Sequence, residues 1–177
     1  FKSVLDEFVS EGITEVDLLP LYPQWALAST ASTLVHIQEL KHTCKVQKVL
    51  APFYEDPDFT GLLTRRVSAA SDKAIVKDSS LKTHFLFSYH GLPERHVKKS
   101  PGCENCALDS VCCHAAKTPT YCYRAHCTKT TEAVAKNLDL EEGEYSISFQ
   151  SRLVPDKWLQ PPTDVVLKDL PKRGVER

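Results

Sequence analysis

The chain has 177 residues, a net charge of −1, and 42% apolar against 25% charged side chains, the mix of one globular domain or parts of two. That balance excludes the basic face a nucleic-acid partner needs, and no run of about 18 apolar residues is present to span a membrane. No signal-peptide pattern follows Phe1, so the expected setting is cytoplasmic.

Phe1, Val4, Leu5, Phe8 and Val9 recur at helical spacing and predict an amphipathic helix that Gly12 stops. Val16 to Leu21 predicts a short strand, which Pro20 and Pro23 turn into a loop. Trp25 to about His42 reads as helix, with Leu27, Ala31, Leu34 and Val35 on one face and Ser and Thr in the first turns as caps. Val46 to Ala51 is the next strand. Asp56-Pro57 opens a third helix, whose buried face is Phe59, Leu62, Leu63 and Val67. Lys73 to Ser80 fits no single pattern. Phe85 to Tyr89 predicts a buried strand that runs into the turn Gly91-Leu92-Pro93, with His90 at its carboxyl end. Ligands of open α/β sheets bind beyond the carboxyl ends of the strands, so His90 is a candidate base or metal ligand. The plainer reading is a surface histidine in a tight turn.

Helix and strand alternate up to this point, which argues for a parallel α/β sheet. After Pro93 the composition changes. Residues 94–127 hold six of the seven cysteines, with few large apolar residues and little periodicity, so this insert cannot build its own core from apolar burial. Helical pattern returns from about Thr128 to Leu138. Tyr145, Ile147 and Phe149 then alternate with Ser146, Ser148 and Gln150, a strand with one buried face. Thr163-Asp164 is expected to cap a last helix that runs to Leu170.

The insert's cysteines are Cys103, Cys106, Cys112, Cys113, Cys122 and Cys127, with Cys44 distant in sequence. Three chemistries compete. Disulfides suit a secreted chain, and nothing here looks secreted. A zinc site suits Cys103-x-x-Cys106, with His114 and His126 as further ligands, but the adjacent pair Cys112-Cys113 is awkward around one tetrahedral ion. An iron–sulfur cluster takes four thiolates, and neighbouring cysteines can reach different iron atoms. From Arg95 to Lys129, Arg95, Lys98, Lys99, Lys117, Arg124 and Lys129 outnumber Glu104 and Asp109, and such cations favour an anionic cluster. On this chemistry alone, cluster and zinc both stand.

The segment Phe87-Ser88-Tyr89-His90-Gly91-Leu92-Pro93 is similar to the signature of ferrochelatases, the terminal enzymes of haem synthesis. Leu19-Pro20-Leu21-Tyr22-Pro23-Gln24, followed by Ser29-Thr30-Ala31-Ser32, resembles the family's tyrosine-bearing loop and Ser/Thr-rich helix start. Phe149-Gln150-Ser151-Arg152 and Lys157-Trp158-Leu159-Gln160-Pro161-Pro162-Thr163-Asp164 resemble two further family segments, in the right order.

The resemblance implies a chelatase-like α/β fold of parallel sheets flanked by helices. Residues 1–80 would be the later part of a first domain, and residues 81–177 the earlier part of a similar second one, with the insert at 94–127. It implies insertion of Fe2+ into protoporphyrin IX, with His90 as the catalytic and metal-contacting histidine. Tyr22, and with it Trp25, would line the porphyrin cleft. Porphyrin and ferrous iron are the expected partners, and peripheral membrane association and a homodimer are compatible with it. Some bacterial members carry an internal 2Fe–2S cluster at the insert's position, and their pattern resembles Cys106, Cys112, Cys113 and Cys122. Cys103 is the rival to Cys106, and zinc is the alternative metal. Cys127 matches a cysteine of members without a cluster. Phe1 at the start and the absence of Met point to an internal fragment, which alone is expected to be inactive. The family's glutamate partner of His90 would lie after Arg177. Two other functions fit the same residues: a chelatase for a different tetrapyrrole, and a non-catalytic iron–sulfur module on this scaffold.

Overall fold

Each of two compact units, residues 1–53 and 54–177, lays a short strand parallel to another across a helical connection. The computed structural model describes residues 1–40, 42–75, 82–114, 120–153 and 155–176. The boundary expected between residues 80 and 81 lies outside the described residues, as do parts of the Lys73–Ser80 stretch.

In the first unit, helix α1 (Lys2–Ser10) precedes strand β1 (Glu15–Leu18). Gly12 ends the helix in a left-handed conformation, φ +83°, which glycine adopts without a Cβ clash. A helical segment then leads to strand β2 (Lys45–Val49), and β1 and β2 pair parallel from Glu15–Lys45 to Leu18–Val49, with a register shift after Val16. The predicted helix from Trp25 is shorter and less regular than expected. It opens as a π-helical turn, Leu27–Ala31, in which the Ala31 N–H reaches back five residues to the Ala26 carbonyl. Only then does helix α2 (Ser32–Glu39) begin. The serines and threonines here do not cap it, since Ser32 Oγ instead donates to the Ser29 carbonyl.

The second unit opens with α3 (Pro57–Ile75), whose first N–H groups, of Asp58 and Phe59, bond the Asp56 carboxylate. Strand β3 (Phe85–His90) follows, then two short helices, α4 (Glu94–Lys98) and α5 (Ser110–His114), the long helix α6 (Tyr123–Asn137), strand β4 (Tyr145–Gln150) and helix α7 (Thr163–Asp169). β3 and β4 are parallel in unbroken register, from Phe85 opposite Tyr145 to His90 opposite Gln150. Parallel strands need a crossover, and α6 supplies it. The cysteine segment lies between the end of β3 and the start of α6, which puts it at the carboxyl edge of the sheet beside His90.

Two expectations change here. Ser148 is fully buried rather than solvent-facing, because α7 covers that side of β4. Thr163 does not cap α7, whose preceding residue is Pro162 with no side-chain bond to the helix. Its hydroxyl instead bridges Ser88 and Ser148, at 2.9 Å to each, and so ties α7 to both strands. Among the described residues, no helix is long and apolar enough to cross a membrane.

Candidate active site and thiol cluster

His90 is the last residue of β3, and its side chain is exposed at the carboxyl edge of the sheet. Its backbone is held tightly. The Gly91 N–H donates to the Gln150 carbonyl at 2.7 Å, and the His90 carbonyl accepts from the Tyr123 hydroxyl at 2.8 Å. Both groups belong to the same peptide unit, which is therefore pinned from both sides. The next turn is laced to a second segment. Leu159 N–H donates to the Leu92 carbonyl, Glu94 N–H donates to the Lys157 carbonyl, and Pro93 bridges Trp158. Position 91 needs glycine for space. A Cβ there would lie 2.6 Å from the Gln150 carbonyl oxygen and 3.3 Å from the Trp158 ring.

The thiols gather on three successive segments of the insert. Cys106 and Cys112 have sulfurs 3.8 Å apart. For sulfurs about 2.3 Å from one tetrahedral metal, the expected separation is about 3.8 Å. Cys103, 1% exposed, lies against Cys122, which is fully buried at the start of α6 and accepts the Ala125 N–H. Cys113 is buried too, and Arg124 places a guanidinium nitrogen 2.9 Å from its sulfur. Arg124 also donates to the Asp109 carbonyl, which fixes the loop against α6. Burial pushes the Cys122 thiol up to about 12 and raises Cys103 and Cys112 as well. Burial also raises Cys113, against the pull of the Arg124 charge. Without metal these thiols keep their protons, and a bound metal would displace them. Among the described residues, no group of three or more His, Cys, Asp or Glu side chains closes round a point suited to a single metal ion.

The sequence model of the family described as Ferrochelatase matches residues 1–177. The chain belongs to the ferrochelatase family. It is 36% identical to a ferrochelatase of Pseudomonas putida over 181 residues, 98% of this chain and 52% of the relative. A ferrochelatase of Pseudomonas fluorescens is 37% identical over 185 residues, 99% of this chain and 51% of the relative. One of Azotobacter vinelandii is 35% identical over 185 residues, 99% and 52% of the two chains. The chain thus spans about half the length of the curated relatives it matches.

Within this ferrochelatase-family chain, the expected site residues fall into three groups. His90 and the cysteines of the insert share one edge of one unit. Tyr22 belongs to the first unit, on the loop after β1, and is 45% exposed, whereas Trp25 is buried there as packing. Cys44 also belongs to the first unit, where its N–H bonds the His42 ring. Of the two histidines proposed for zinc, His114 is engaged elsewhere. His114 Nδ1 pairs with the Glu132 carboxylate, and His126 is buried and stacked on Tyr54 with ring centroids 3.7 Å apart. From sequence, Arg124 is only one of the insert's cations and Gly91 only part of the turn, and Tyr123 is not singled out at all. Tyr123 carries no sequence signal for a bond to a carbonyl 33 residues away.

Proposed function

We propose that this chain is part of a ferrochelatase, which inserts Fe2+ into protoporphyrin IX to form haem in the terminal step of haem biosynthesis. The observation that carries the reading is the exposed His90 imidazole on a doubly pinned peptide at the sheet's carboxyl edge, within a chain of this family. Metal insertion must remove two pyrrole protons and strip water from Fe2+. A neutral imidazole suits both tasks, as proton acceptor and as a borderline ligand for Fe2+. His90 takes that role here, and Tyr22, exposed on its loop, contacts the porphyrin. Residues 1–80 and 81–177 belong to a first and a second domain of the whole protein. Its setting is the cytoplasm, which suits a chain whose cysteines are free thiols.

The insert holds a 2Fe–2S cluster on Cys106, Cys112, Cys113 and Cys122. An all-sulfur donor set with a guanidinium beside Cys113 supports this, and so does the pairing of His114 with Glu132, which disfavours His114 as a zinc ligand. The cluster's bonds supply order to a loop that has little apolar core, a structural role consistent with a reaction that transfers no net electrons.

The test is an anaerobic assay of the purified full-length protein with Fe2+ and protoporphyrin IX, following the loss of free-porphyrin fluorescence. Turnover supports the proposal. A full-length protein that binds porphyrin without inserting iron would leave the non-catalytic module as the better reading.

A further inference from the structure

Helix α6 meets both the thiol loop and the histidine-bearing strand. Cys122 sits immediately before the helix, and Tyr123 is its first residue. The Tyr123 hydroxyl donates to the His90 carbonyl at 2.8 Å. Two turns further on, Thr131 bonds the hydroxyl of Tyr89, the residue before His90, at 2.8 Å. Residues 123, 127 and 131 fall four apart, on one face of the helix, and all three are buried. The first turn of α6 therefore rests on the end of β3, and the residue that anchors it to the thiol loop adjoins the residue that holds His90.

The peptide between His90 and Gly91 has only two tethers among the described residues: Gln150 accepts its N–H and Tyr123 donates to its carbonyl. That peptide sets the direction in which the imidazole leaves the backbone. The tether on the N–H side belongs to the sheet. The tether on the carbonyl side belongs to a tyrosine whose place depends on how the α6 start is fixed. Cys122, Cys113 and Arg124 fix that start, and they form the thiol site and its cation.

We propose that Tyr123 is a positioning residue for His90, and that through it the order of the thiol loop is transmitted to the active-site histidine. This rests on the reading that His90 is the working histidine. Removing the hydroxyl leaves a carbonyl unpaired and one side of the peptide loose. An ordered loop holds Tyr123 under that carbonyl, and a loop without its metal releases it. The substitution therefore acts on the orientation of His90, with the bulk of the porphyrin contact unchanged.

The experiment uses the anaerobically purified full-length protein and its Tyr123→Phe, Cys112→Ser and doubly substituted variants. Iron and labile sulfide are counted, amide exchange at Gly91 is followed, and kcat and KM for protoporphyrin are measured. Tyr123→Phe should keep its iron, exchange Gly91 about tenfold faster, the scale of one lost hydrogen bond to a buried group, and lose kcat about threefold to tenfold at unchanged KM. Cys112→Ser should accelerate Gly91 to a similar extent, and the double variant should be no faster than the faster single, because both act through one tether. The proposal is overturned if Gly91 exchange in Tyr123→Phe equals that of the parent, or if the two substitutions multiply as independent effects. Loss of iron from Tyr123→Phe would also overturn it, since the hydroxyl would then serve the loop and not the histidine. Absence of chelatase turnover in the parent would instead remove the functional reading, while the exchange data still decide whether the coupling exists.

Discussion

Gly91→Ala is a small change with a large expected effect. The new methyl carbon would sit 2.6 Å from the Gln150 carbonyl oxygen, about an ångström inside ordinary contact, and 3.3 Å from the Trp158 ring. The obstructing atom is backbone in a paired strand, so no side chain can swing aside. The ends of β3 and β4 must part, and the 2.7 Å bond from the Gly91 N–H to Gln150 stretches or breaks. A buried donor left without its acceptor costs about 1–3 kcal/mol, and overpacking a further 1–3, so a total of about 2–6 kcal/mol is expected. For a chain of this size each kcal/mol moves the melting midpoint by about 2–4 °C, which gives a fall of roughly 4–24 °C. Scanning calorimetry of parent and variant, both purified without oxygen, measures it directly. A midpoint within about 1 °C of the parent would refute the close approach of the His90 turn to β4 described above.

Thr163→Val should cost about 1–3 kcal/mol in urea unfolding, because fully buried Ser148 loses its partner, while Thr163→Ser should keep most of the stability. His126 supplies a pH dependence. Burial lowers it to about 4, so as pH falls from about 6.5 to 4 the unfolded chain takes up the proton before the folded one. Its contribution is complete above that window and is lost progressively through it, up to about 3 kcal/mol. His126→Phe should flatten that part of the pH profile, measured as urea midpoints at pH 7.5 and 5. The full-length protein prepared anaerobically should be reddish-brown with about two iron per chain. Cys112→Ser should bleach it and expose the loop to protease, while Cys44→Ser should leave the colour intact. A colourless protein with one tightly held zinc would replace the cluster with a zinc site. Bleaching by Cys103→Ser, with Cys106→Ser still coloured, would exchange those two ligands.

Legibility in the sequence followed periodicity. β3 was readable from its apolar run into a Gly-Pro turn, although it is only part-buried, with Ser88 and His90 exposed, β4 from its alternation, and α1 because its apolar face has the spacing of a surface helix. The start of α6 was not readable. Tyr123, Ala125, His126, Cys127, Thr128, Thr130 and Thr131 are all buried, so this helix is covered on several sides and its small and polar residues carry no one-sided pattern. Thr163 looked like a helix cap because threonine before an apolar run is usually one. Two strand serines compete for its hydroxyl, and only the fold brings them to it. His90 was visible from its motif, but its restraint was not, since Gln150 and Tyr123 approach from 60 and 33 residues away. The cysteines pointed to metal chemistry only as an expectation, by number and spacing. Which of them share one edge with His90 follows only from the crossover through α6.

The most direct test of the account is turnover of the full-length protein with and without the His90 imidazole. Parent and His90→Ala are purified anaerobically, matched for iron and labile sulfide, and supplied with Fe2+ and protoporphyrin IX. The account predicts that His90→Ala lowers kcat by at least about a hundredfold, the scale of losing a general base, while the cluster and the fold persist. Turnover within about twofold of the parent would contradict it and remove His90 from the reaction.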